Sequence, residues 1–134
     1  MQIEFPFREF ISENLGRILK PFALVTLING EKSREVTMLI DSGADVTLLS
    51  KSLGERMGLE PIKEDEIKYL GGIAGGVPVV YRTINLRIED IKFPTRIAWA
   101  QIEDVPTVLG RVDVFDKFDI EFKQVDRKVV FKER

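Results

Sequence analysis

The chain has 134 residues, 44% hydrophobic and 31% charged, a balance that suits one soluble globular domain with a genuine core. Its net charge is -2 with Lys and Arg scattered, which argues against nucleic acid, because phosphate binding needs a concentrated basic surface. It contains neither Cys nor His, so disulfides, thiol nucleophiles, Ser-His triads and ordinary zinc sites are excluded. Catalysis, if present, falls to carboxylates, Lys, Tyr, hydroxyls or an oxygen-ligated metal. No apolar run approaches the length of a membrane span, and Met1-Gln2-Ile3-Glu4-Phe5 lacks the charged and apolar regions of a signal peptide. The expectation is a cytoplasmic protein with no membrane partner.

In chain order, Ile3, Phe5 and Phe7 alternate as in a strand, while Ile11, Leu15, Ile18 and Leu19 have helical spacing behind Ser12, a candidate N-cap. This N-terminal strand and helix either cover the domain's own core or form an arm that pairs with a partner chain. Residues 23–28 read as a buried strand, and Asn29-Gly30 marks a hairpin turn before a second strand over 34–40. A short strand over 46–49 leads into a short helix over 50–57, with Ser50 as N-cap and Gly58 as its stop. Strands over 66–70 and 77–88 flank the glycine-rich run at 71–76, and further strands follow over 93–102 and 107–109. Residues 111–115 read as a single helical turn, and residues 119–123 and 128–132 as a last hairpin around Val125-Asp126-Arg127. There is no repeat, low-complexity tract or linker. Short strands with turn signals every ten or so residues indicate an all-β barrel or sandwich with one or two small helices.

The informative stretch is Met38-Leu39-Ile40-Asp41-Ser42-Gly43-Ala44-Asp45-Val46-Thr47-Leu48-Leu49. An apolar strand runs into an acidic turn, and a second apolar strand leaves it at once. A carboxylate where a buried strand breaks open is costly to desolvate and is commonly kept for chemistry. On its own Asp41-Ser42-Gly43 is a common turn, since Asp caps turns and Gly supplies unusual backbone angles. The context is what singles it out: the glycine hairpin with Gly72, Ile73, Ala74 and Gly75 comes next, and Val108-Leu109-Gly110-Arg111 follows near the C-terminus.

These three elements, in this order, resemble the retropepsin-like (retroviral-type) aspartic proteases, a family with cellular and prokaryotic members. The resemblance covers roughly residues 21–132. It implies a closed acid-protease barrel over 21–134, with residues 1–20 as an N-terminal strand/helix extension packing on the domain or on a partner chain. It also implies an aspartic endopeptidase active as a homodimer, with peptides or unfolded proteins as substrates and no cofactor. By family position Asp41 is the catalytic carboxylate and meets its symmetry mate across the two-fold, where like charges cannot both ionise and share one proton. Ser42 then ties the two active-site loops together, Gly43 allows close backbone approach, and Ala44 leaves room for substrate. Asp45 pairs with Arg111 to lock the loop. Gly72, Ile73, Ala74 and Gly75 form the flap, with Ile73 as its apolar tip. Pro106 and Val108 wall a substrate pocket, while Leu109 faces the core.

Other readings stay open at this level. A retropepsin-like fold could grip an extended peptide by β-addition without cutting it. The acidic turn could be only a turn, Asp45 and Arg111 two unrelated surface charges, and Trp99 plain core rather than a binding surface. A metal hydrolase is poorly supported, because only Asp41 and Asp45 lie together. Two segments depart from the viral pattern and bear on dimerisation: Val112-Asp113-Val114-Phe115 after Arg111, and the charged end over 128–134.

Overall fold

The computed structural model describes residues 2–71 and 76–134. β4 (Phe22–Asn29) and β5 (Lys32–Ile40) form a hairpin around Gly30, whose φ of +61° suits the tight reversal. β6 (Thr47–Leu49) follows the acidic turn, and α1 (Lys51–Arg56) follows β6. The Ser50 side chain accepts from the Leu53 N–H at 3.3 Å, capping the helix, and Gly58 at φ +81° ends it. β7 (Lys68–Leu70) pairs with β8 (Val77–Ile88), which turns back through Glu89 and Asp90 into β9 (Ile91–Ala100). β10 (Val108–Leu109) is two residues long, and β11 (Phe118–Lys123) and β12 (Lys128–Glu133) make the last hairpin.

The hydrogen-bonded order β4-β5-β10-β6-β9-β8 closes on itself through β4 and β8, giving a six-stranded barrel with β7 attached outside β8. Closure gives each of those six strands a neighbour on both sides over at least part of its length. Alternating side chains from the strands fill the interior, with Val25, Leu27, Met38, Leu49, Ile97 and Leu109 fully buried. Trp99 is core as well. Its indole N–H donates to the Lys51 carbonyl at 3.1 Å, so its one polar atom is satisfied where α1 begins.

Residues 2–20 form three strands and no helix. β1 (Gln2–Pro6) pairs antiparallel with β12, and with β11 makes a three-stranded sheet, with Phe5 set edge-on to Phe131 at 5.5 Å. The helix expected from Ile11, Leu15, Ile18 and Leu19 is instead a hairpin of β2 (Arg8–Ser12) and β3 (Gly16–Lys20). Ser12 does cap, but its hydroxyl accepts from Asn14 and Leu15 N–H at 3.3 and 3.2 Å across a turn. Gly16 sits at φ +72°. A short isolated helix with a central glycine is unfavourable, and Ile11 and Leu15 reach no core that would offset this, being 78% and 76% exposed. Pairing the two arms satisfies the backbone without such a core. Among the described residues, no helix is long and apolar enough to cross a membrane.

Gly54 shows how tightly α1 lies on the barrel. A Cβ there would fall 2.2 Å from the Trp99 indole nitrogen. Gly→Ala inside a helix ordinarily stabilises by about 0.5–1 kcal/mol. Here Gly54→Ala is expected to destabilise by about 1–3 kcal/mol, because the buried indole has to move. Urea denaturation followed by tryptophan fluorescence measures the sign.

Candidate active site

The acidic turn is built across a seam. β10 lies between β5, to which it is parallel, and β6, to which it is antiparallel, so the turn from Asp41 to Val46 bridges the two strands that β10 separates. Backbone bonds hold it on both sides. Asp41 N–H donates to the Leu109 carbonyl at 3.0 Å, Arg111 N–H to Ala44 at 2.9 Å, and Val112 N–H to Asp45 at 2.8 Å. Within the turn, Ala44 N–H donates to the Asp41 carbonyl at 3.1 Å, and Gly43 N–H to Asp41 Oδ1 at 2.9 Å. The carboxylate is thereby fixed in orientation by its own loop. Asp41 is half-buried, as is Ala44, while Ser42, Gly43 and Asp45 are exposed. A Cβ on Gly43 would press on Asp41 Oδ1 at 3.3 Å, so a side chain there would disturb the acid directly.

Two further residues make the seam possible. Thr47 is fully buried, and its hydroxyl accepts the Gly110 N–H at 3.0 Å. Gly110 packs so closely that a Cβ would sit 2.3 Å from the Val46 carbonyl carbon. Thr47 was not singled out from the sequence. The available signal was a hydroxyl residue opening a three-residue strand that is otherwise leucine.

Asp41 lines a cleft of about 470 Å³ together with Ala44, Leu48, Val77, Pro106 and Val108. Pro106 and Val108 thus stand in the same cleft as the acid, and Leu109 is in the core. Gly72, Ile73, Ala74 and Gly75 lie outside the described residues, although Leu70 and Gly71, which lead into them, line the cleft too. A larger cavity of about 670 Å³ adjoins it, sharing Asp45, Val46 and Leu70 and extending to Ile62, Tyr81, Arg82 and Arg96. Of the two, the smaller cleft is the one that Asp41 lines. Among the described residues, no three Asp or Glu side chains converge on a point that could hold a metal ion.

The expected ion pair between Asp45 and Arg111 is not formed within the chain. The Arg111 guanidinium lies over the Phe115 ring, 5.0 Å from its centroid, and the two segments are joined through their backbones instead. A side-chain lock is not needed where three main-chain bonds already fix the register. Two ion pairs form beside it, at the adjoining cavity. Arg96 meets Asp113 at 3.0 Å, with Arg96 N–H also donating to the same carboxylate at 2.8 Å. Arg82 binds Asp65 through both terminal nitrogens at 2.7 and 2.8 Å, and lies 5.7 Å from the Trp99 ring centroid.

A family model described as aspartyl protease matches residues 25–120. The chain belongs to the aspartyl protease family. The fold agrees with that membership. EIAV protease complexed with the inhibitor HBY-793 is similar at 24% identity and a TM-score of 0.57, over 79% of this chain and 92% of that one. A retropepsin-like aspartic protease from Rickettsia conorii is similar at 12% identity and a TM-score of 0.68, over 98% and 89%. At these identities the likeness is one of fold. No curated protein sequence matches the chain. In this aspartyl protease barrel, the family match takes in the acidic turn, β10 and Arg111.

The Arg82 hydrogen bonds, and next the Ile62 N–H, hold the Asp65 carboxyl below the usual carboxylate range, against the opposing effect of burial. A carboxyl lowered in the folded state stabilises the fold fully above its unfolded value of about 3.9. That contribution is lost as pH falls through the folded value. Arg82→Met is therefore expected to lower the melting temperature at neutral pH and to flatten its fall between about pH 5 and pH 2. Thermal scans at both ends of that range check this. Thr47→Val leaves the Gly110 N–H buried without its acceptor and should cost about 1–3 kcal/mol in urea denaturation.

Proposed function

We propose that the protein is an aspartic endopeptidase, active as a homodimer, that hydrolyses peptide bonds in extended chains. The observation that carries this reading is a single Asp41-Ser42-Gly43 turn, braced by main-chain bonds and opening into an apolar-walled cleft. One carboxylate is half of a two-carboxylate centre. The second half comes from another copy, which places the centre on a two-fold axis.

With two such acids a few ångströms apart, mutual repulsion keeps one protonated. The ionised one accepts a proton from water as the water oxygen attacks the peptide carbonyl carbon, and the protonated one donates to the carbonyl oxygen. The resulting diol collapses with the C–N bond breaking, the nitrogen taking up a proton from the pair. No covalent intermediate is required, in keeping with a chain that lacks Cys and His. The exposed Ser42 links the two turns through its hydroxyl. Apolar walls at Val46, Leu48, Val77 and Val108 favour hydrophobic side chains beside the cut bond. Residues 72–75 cover the bound peptide as the flap, and the adjoining cavity past Asp45 takes a more distant part of the substrate.

Asp41→Asn is expected to keep the fold and lower peptide cleavage at least about 100-fold, measured on a peptide library by mass spectrometry with circular dichroism as control. Equal cleavage by wild type and variant would remove Asp41 from the mechanism. Tight peptide binding without fragments from the wild type would make the protein a peptide-binding module instead. Specific activity should also fall on dilution of the wild type.

A further inference from the structure

We infer that the hairpin of β2 and β3 is a clasp that rests on a second copy of this chain, holding two protomers together beside their acidic turns. The inference rests on the homodimer reading above and adds which surface makes the contact. Among the described residues, β2 and β3 pair only with each other. A lone two-stranded hairpin is marginal in water unless something covers it. Its root is secured within the chain, where the Phe10 ring lies 5.3 Å from that of Phe22 and Lys20 sits 5.1 Å over Phe10. Its far end is not. Ile11 and Leu15 are 78% and 76% exposed, a concentration of apolar surface at a projecting tip.

The position of the root selects the occupant. Pro21, immediately after β3, accepts the Ile40 N–H at 2.9 Å, so the hairpin leaves the barrel next to the residue that precedes Asp41. The surface beside Asp41 is where a second copy has to approach if the carboxylate is to be paired. Meanwhile β12 has β1 on one side and β11 on the other within the same chain, so it offers no edge to a partner. The contact therefore falls to a different element, and the hairpin is an apolar projection whose root lies beside Asp41. Two-fold symmetry doubles the arrangement, each hairpin reaching toward the other protomer.

The test uses the full chain carrying Ile11→Glu and Leu15→Glu, exposed positions where charge leaves the barrel intact. Sedimentation velocity over a concentration series should show at least a tenfold weaker dimer than wild type. Peptide cleavage should be lost at low protein concentration and recovered at high concentration. A wild type that dimerises, with a double variant that dimerises equally well, overturns the clasp and leaves the shared acid pair standing. A wild type that is monomeric and still cleaves overturns the acid pair, and the clasp with it. Because the chain has no Cys, Leu15→Cys carries a nitroxide label at one site only. Its spectrum should broaden as dimer forms, and a label equally mobile in monomer and dimer also refutes the contact.

Discussion

Everything at the centre depends on how close β10 comes to the acidic turn. Gly110 lies against the Val46 backbone with no room for a Cβ, and its N–H is taken by the buried Thr47 hydroxyl. That approach lets Arg111 and Val112 bond to Ala44 and Asp45, and these bonds set where Asp41 points. A larger residue at Gly110 would push apart the two strands that the barrel needs to close. Closure and the geometry of the acid are thus one constraint, and neither can drift without the other.

Charge plays a supporting part around this seam. Asp65 and Arg82 sit between α1's surroundings and β8, with Arg82 also bonded to the Glu60 carbonyl at 2.9 Å. Arg96 and Asp113 join β9 to the turn after β10, and Asp113 adopts φ +68° to do so. Each pair fastens a loop to a strand at the rim of the larger cavity. At the mostly buried Asp65 pair, the bidentate Arg82 costs less side-chain ordering per bond than Lys would, which suits a fixed wall. The cleft beside Asp41 is lined mainly by apolar groups, so its carboxylate faces little competing charge.

Much of this was legible in the sequence. Asn29-Gly30, the Ser50 cap, the Gly58 stop and the strand over 77–88 follow local rules of turns and alternation, and they stand where those rules put them. The acidic turn was legible because apolar runs flank it so tightly. The N-terminal segment departs from the helix its spacing predicts because Ile11 and Leu15 are spaced for a helical face that has nothing to pack on. Periodicity reports a face only where a core exists to receive it. The pairing of Asp45 with Arg111 failed for a different reason. Backbone proximity is fixed by topology, whereas the direction of a long side chain answers to its neighbours, and Phe115 offers Arg111 a ring. Thr47 escaped notice because a single hydroxyl in a short strand carries no signature.

The pairing of β1 with β12 sets Gln2 opposite Lys132. During translation β1 therefore waits until β12 has been made before it has a partner, more than a hundred residues later. Such distant pairing slows the final folding step. A ribosome stalled late would release a chain with β1 and β11 edges bare, the kind of nascent product that sticks to its neighbours.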